Sequence, residues 1–318
     1  RREKGASVKE VDAYFNVTKA RFEAEIVPAG RPAILRGLVA DWPWVQAAKA
    51  GHGALVAAMK AHGTAPEVDT FVGPPSMKGR FFYGPDYRSF NFERRKMAFG
   101  ALLDLLERQI EAPHPDHIYA GAVRLHEHFK TALDDIPMPL LSPEVERLSS
   151  LWIGNRSRTA PHWDLPQNLA CVVAARRTFT LFPTDQIQNL YIGPMDVTLA
   201  GQPISIVDLQ APDFERFPKF RTALEHAEIA ELEPGDALYL PSLWVHHVAC
   251  DARLGAMVNF WWRDGPDYLL TPFLTLLHGL TTIRDIPERE RMAWREIFDH
   301  FVFKTHGEPQ PHLPEAAR

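Results

Sequence analysis

Residues 233–248 read EPGDALYLPSLWVHHV. Pro234-Gly235-Asp236 is a turn signal, because Gly accepts the positive φ and Asp caps its own backbone. The run 237–240 that follows is apolar and short, as a buried strand is, and Pro241 ends it. A second strand then carries two adjacent histidines, His246 and His247. The same texture extends on both sides. Short apolar runs fall at 117–122, 150–154, 168–174, 178–182, 196–198, 204–208, 227–231, 237–240, 245–250 and 256–262, separated by Gly, Pro and Asp. No helix of 10–15 residues sits between successive runs, so a doubly wound α/β fold is excluded and a mainly β sandwich or barrel is expected.

Helical patterns lie outside this region. Residues 97–110 place apolar side chains at 97, 99, 102, 103, 105, 106 and 110, the pattern of an amphipathic helix. Ser7 and Glu10 fit a capping box for a short helix over 7–15. Residues 32–39 read as a strand, 43–45 and 54–59 as helix, and 71–92 as short strands or irregular loop. Two apolar helices are expected at 269–283 and 288–303, and such a stripe must be buried against something. Three regions follow: 1–114 of mixed helix and strand packing on the core, a β core over 115–265, and 266–318 as C-terminal helices. The last are a candidate dimerisation element.

The residues most suited to chemistry are His162 and Asp164. In a strand, residues i and i+2 point the same way, so the two project together. A histidine from the 245–250 strand would complete two imidazoles and one carboxylate. That facial set leaves coordination positions open and is typical of non-haem Fe(II) oxygenases. His-x-Asp alone is weak evidence, since chance places about one in a chain with 14 His and 19 Asp. A second copy, His114-Pro115-Asp116, sits in a proline-rich loop. His246 and His247 point to opposite faces, so only one can join the set.

Several segments taken together resemble the JmjC-type, cupin-like oxygenases, a family that includes the JmjC lysyl hydroxylases and the asparaginyl hydroxylase of hypoxia-inducible factor. The segments are Thr159-Ala160-Pro161-His162-Trp163-Asp164, Asn168, the RRTFTLFP stretch at 176–183, the 233–248 stretch and Asn259-Phe260-Trp261. They stand in the family's order over about 115–265, and RPAILRGLVADWP at 31–43 resembles its lead-in segment. The resemblance implies a double-stranded β-helix, or jelly-roll, core. It also implies Fe(II) held by His162, Asp164 and His246, and 2-oxoglutarate as cosubstrate. In the family a Lys usually binds the far carboxylate of the cosubstrate; the aligned residue here is Arg177, which can grip a carboxylate with two parallel bonds. Tyr119, Thr159, Asn168 and Asn259 match further cosubstrate contacts. Trp244 and Trp261 are expected to wall the substrate pocket. Gly121 stands where the family often has Gln, which suggests a roomier pocket.

The implied activity is that of a hydroxylase acting on a protein side chain, a peptide or a small molecule. Arg177 and Gly121 keep open a cupin-like metalloprotein, whether dioxygenase, isomerase or binding module, that does not use 2-oxoglutarate. The 318 residues are 46 % hydrophobic and 24 % charged, which excludes wholesale disorder. Lys+Arg 35 against Asp+Glu 40 gives −5, so no basic excess points to nucleic acid. Two cysteines exclude a disulfide scaffold and a multi-cysteine zinc module. No run of 18 apolar residues and no leader is visible, so no membrane span and a cytoplasmic setting are expected.

Overall fold

The alternation of side chains along the central strands fixes two faces for each sheet. In β11, Phe179 and Leu181 point one way and Thr180 and Phe182 the other; Phe179 and Leu181 meet Ala170, Val172, Leu238, Leu240 and Met257 in one apolar core. That core lies between two sheets, since its residues come from both. The computed structural model describes residues 9–142, 149–266 and 268–314, and it separates into two units, one ending at Asp264 and one beginning at Gly265.

Among the described residues of the first unit, the strands are β1 (Lys9–Glu10), β2 (Ala13–Phe15), β3 (Ala33–Arg36), β4 (Glu67–Gly73), β5 (Arg80–Phe81), β6 (Glu93–Ala98), β7 (His117–Arg124), β8 (Ser150–Gly154), β9 (Ser157–Trp163), β10 (Gln167–Ala174), β11 (Arg177–Phe182), β12 (Glu228–Leu232), β13 (Ala237–Leu240), β14 (Val245–Cys250) and β15 (Gly255–Trp262). One sheet runs β1-β12-β11-β14-β9-β5 and the other β2-β3-β13-β10-β15-β8-β7-β4-β6. Successive strands β9 to β10, β10 to β11, β12 to β13 and β13 to β14 pass between the two sheets, the jelly-roll pattern. Strand dominates and helices are the minority, as a cupin-like core requires.

The segment before residue 115 is woven into this core: β1 joins the smaller sheet, and β2, β3, β4 and β6 widen the larger one. Helices α1 (Pro43–Ala50), α2 (His52–Lys60) and α3 (Phe99–Ile110) cover the outer face of the larger sheet. Trp44, Leu55, Met59, Phe99, Leu102, Leu103 and Leu106 are buried there with Ile118, Ile153, Val173 and Phe260. The outer face of the smaller sheet is covered by Phe217 and Phe220 against Phe182 and Val245.

Two local expectations are corrected. The helix over 7–15 is replaced by β1 and β2, with Ser7 outside the described residues; pairing of Lys9 and Glu10 with β12 and of Ala13–Phe15 with β3 overrides the local capping signal. Residues 196–198 are bend and irregular backbone, not a strand, and 204–208 contribute only isolated bridges, Ile204 to His162 and Ser205 to Ile192. Within 71–92 the chain has the expected short strands and irregular loop: the end of β4, β5, a 3-10 turn at Pro75–Met77 and a single bridge from Tyr83 to Phe90; 93–98 form an edge strand, β6, that the charged run ERRK conceals.

The second unit carries α4 (Pro272–Thr282) and α5 (Glu288–Phe301), and neither helix buries a residue. No helix among the described residues is long and apolar enough to cross a membrane.

Candidate metal centre and adjoining cavity

Two strands of the smaller sheet bring the imidazoles together. His162 of β9 and His246 of β14 are direct cross-strand partners, and their ring centroids are 4.3 Å apart. The ladder shifts register between His246 and Val248, and Pro161, which has no N–H to give, sits in the irregular stretch. Its carbonyl accepts from Ser205 N–H at 2.7 Å. Asp164 follows β9, two residues beyond His162, and Oδ2 lies 3.6 Å from His246 Nε2. One potential ligand atom from each of His162, Asp164 and His246 lies within 4.8 Å of the others, and no other such cluster occurs among the described residues.

The tautomers follow from the backbone. His162 Nδ1 is 2.9 Å from the carbonyl of Ala160, and His246 Nδ1 is 3.0 Å from that of Trp244. A carbonyl oxygen can only accept, so each Nδ1 carries a proton, and a neutral ring so oriented has its lone pair at Nε2. This is the orientation that a metal-bound imidazole has, with its second nitrogen held by an outer partner. Burial, then the neighbouring His162, pushes His246 down to about 4, against the opposite pull of Asp164. The ring is therefore neutral at pH 7. The donor set fits a divalent ion.

His247 faces the other side of β14. It is buried near Arg158 and Asp208, and burial, then Arg158, pushes it down to about 4. It is not part of the cluster.

Beside the cluster is a cavity of about 270 Å³. His162, Asp164, Thr159, Tyr119 and Trp261 line it, as do Phe71, Phe81 and Trp152. Burial pushes the Tyr119 phenol up to about 12, while nearby Arg177 and Thr159 pull the other way. Arg177 itself is 2 % exposed, and its Nε finds no partner. Among the described residues no acid pairs with it, so a buried cation stands without an anion of its own. Asn259 donates from Nδ2 to Asn168 Oδ1 at 2.8 Å, and its own Oδ1 is unsatisfied. Both amides are buried and neither lines the cavity. Trp244 does not line it either; it packs between the sheets and donates Nε1–H to the Gly30 carbonyl at 3.3 Å.

Phe71, Phe81 and Trp152 were not singled out by sequence reasoning. Their signal is their places on β4, β5 and β8, legible only once the strand pairing is known. The room freed at Gly121 is taken by the Trp152 indole, whose Cζ3 lies 2.5 Å from where a Cβ would stand. Trp152 in turn meets Trp261 edge-on at 5.9 Å and Tyr119 at 6.0 Å. Gly121 thus serves to seat an aromatic wall.

Residues 19–268 match the model of the cupin-like domain family. The zebrafish (Danio rerio) protein called tRNA wybutosine-synthesizing protein 5 is 28 % identical over 81 % of this chain and 76 % of its own length. The human bifunctional peptidase and (3S)-lysyl hydroxylase JMJD7 is 25 % identical over 83 % and 87 %. The Arabidopsis thaliana lysine-specific demethylase JMJ31 is 32 % identical over 42 % of this chain, and the match spans 24 % of that protein. The matched span takes in both sheets, the His-Asp-His cluster and the cavity, and the chain belongs to the cupin-like domain family as an oxygenase of the JmjC hydroxylase type.

Proposed function

We propose that His162, Asp164 and His246 hold Fe(II), that 2-oxoglutarate is the cosubstrate, and that the cavity receives the C–H bond to be hydroxylated. The observation that carries this reading is the pair of imidazoles whose Nδ1–H groups are committed to Ala160 and Trp244, with His246 Nε2 3.6 Å from the Asp164 carboxylate and one potential ligand atom of each of the three residues within 4.8 Å of the others. When bound, iron with 2-oxoglutarate and O2 supplies the oxidising equivalents to insert one oxygen atom into an acceptor C–H bond, with succinate and CO2 as by-products.

The chain's own residues do the rest. His246 is neutral and both imidazoles are oriented by their Nδ1 bonds, so no proton need leave His246 before a cation is held. Arg177 offers a buried, permanently charged guanidinium to the far carboxylate of the cosubstrate, and Tyr119 and Thr159 stand beside it. Asn168 and Asn259 keep one amide oxygen available. Phe71, Phe81, Trp152 and Trp261 exclude water around the acceptor.

For the acceptor we favour a protein side chain, a peptide or a small molecule, hydroxylated and not demethylated. The relatives' names cover a lysyl hydroxylase, a lysine demethylase and a tRNA-modifying protein, so kinship alone does not choose. A second copy of the chain is the partner proposed for α4 and α5. The setting proposed is the cytoplasm, consistent with two buried free thiols, Cys171 and Cys250.

Anaerobic addition of Fe(II) and 2-oxoglutarate to the protein should give a weak visible charge-transfer band that His162→Ala abolishes. Its absence from the wild type, with metal bound, favours a cupin-like metalloprotein without 2-oxoglutarate, the reading that the Arg at 177 keeps in view.

A further inference from the structure

The two histidines are fixed by ladder pairing, but Asp164 is not: β9 ends at Trp163 and β10 begins at Gln167, so the acid lies in the crossing between sheets. What holds it comes from a different crossing, between β13 and β14. Leu243 N–H donates to the Asp164 carbonyl at 2.9 Å. The Ser242 hydroxyl donates to the next carbonyl, Leu165, at 2.6 Å. The donating segment is itself a tight turn, closed by Trp244 N–H to the Pro241 carbonyl at 3.3 Å. Thr184 ties it down from outside by donating Oγ1–H to the Leu243 carbonyl at 3.1 Å.

Leu243 adopts φ +67° at the third position of this turn, a conformation that Gly or Asn takes readily and Leu does not. Its side chain is exposed, so burial does not offset that conformation. The backbone is held there while its N–H points at Asp164 and its carbonyl at Thr184. Three residues further along the same segment is His246.

We infer that Ser242, Leu243 and Thr184 form a cross-brace that ties the acid ligand's backbone to the strand carrying the second histidine, and that they are positioning residues for the metal. This rests on the triad reading of the previous subsection. Ser242 acts only through Leu165 and Asp164; it touches neither the cluster nor the cavity. Its removal loosens Leu165, the residue beside the acid, leaves Leu243 N–H on the Asp164 carbonyl, and takes no bond from either imidazole.

The test uses the full chain, stripped of metal, with Co(II) and Mn(II) alone as probes in calorimetric titration. Ser242→Ala should weaken metal binding about tenfold or more, the usual loss when an outer partner of a ligand is removed. Ser242→Thr, which keeps the hydroxyl, should restore it, and Thr184→Val should give a smaller loss of the same kind. The melting temperature of the metal-free variants separates this from general unfolding: a loss of affinity in a chain that melts like the wild type supports the brace. Unchanged metal affinity in Ser242→Ala, with Asp164→Ala clearly weakened, overturns the brace and leaves the triad standing. Equal metal binding by wild type and Asp164→Ala overturns the triad reading and the brace with it.

Discussion

Replacing Gly121 by Ala tests whether the aromatic wall of the cavity is a packed object. The added Cβ would stand 2.5 Å from Trp152 Cζ3, 2.8 Å from Cε3 and 3.4 Å from Tyr119 Cε1. Carbon atoms in contact prefer about 3.5–4.0 Å, so the indole must retreat by about 1 Å. Behind it are Trp261 and the cavity, so the ring has somewhere to go, and the cost falls near the lower end of the ~1–3 kcal/mol for overpacking. Loss of glycine's freedom in the unfolded chain returns about 0.4–1 kcal/mol. The net expectation is a loss of about 0.5 kcal/mol, or a melting temperature lower by about 1–2 °C for a unit of this size. The functional effect is larger than the stability effect, because the displaced ring enters the space where the acceptor sits. Metal affinity should not change. The decisive measurement is a double-mutant cycle: in a Trp152→Phe background the smaller ring leaves room, and Gly121→Ala should cost nothing. If Gly121→Ala raises the melting temperature of the wild type, or costs the same in both backgrounds, Trp152 is not seated on Gly121 and the argument for the wall fails.

Arg177→Met should raise the concentration of 2-oxoglutarate needed for half-maximal turnover about tenfold to a hundredfold, the loss of a charge-assisted bond of ~1.5–3 kcal/mol, while Co(II) affinity holds; Arg177→Lys should lose less. The metal-free chain should lose stability as the pH falls from about 6.5 towards 4. His246 and His247 are both held down to about 4 by burial, so the unfolded chain takes up protons first, and each contributes up to about 1.4 kcal/mol per pH unit across that window. Thermal melts from pH 7 to pH 4 check this, and a flat profile refutes it. Ile297→Glu on α5 should halve the mass seen by light scattering if two copies meet through these helices; a wild type that is already monomeric removes the dimer.

The strands that make the two sheets face each other were readable because their apolar runs are short, and because Pro, Gly or Asp marks the crossings at 164–166, 233–236 and 241–244. The His162, Asp164 and His246 grouping was readable from a period of two and a strand bearing a second histidine. The choice of His246 over His247 needed family spacing; in the structure it reduces to which residue of β14 stands opposite His162. The cavity was less legible. Phe71 comes from β4, about ninety residues before His162, and only the order β15-β8-β7-β4 brings it to the same face. β1 and β2 were misread because a local capping signal carries no information about partner strands, one about two hundred residues away and the other about twenty. The role of Gly121 was inverted, since the size of a residue says nothing about what its neighbour does with the room.

The direct pairing of His162 with His246, each ring already locked by a carbonyl two residues back, has a practical corollary. On the proposed reading, half of the coordination sphere exists before any ion arrives, and capture requires no folding step. A rigid imidazole–carboxylate socket of this kind ranks divalent ions by their intrinsic affinity, with copper, nickel and zinc above ferrous iron. Discrimination then lies with supply: the chain purified from a given host carries what that host and the chromatography offered, and reconstitution under reducing, anaerobic conditions decides whether it turns over at all.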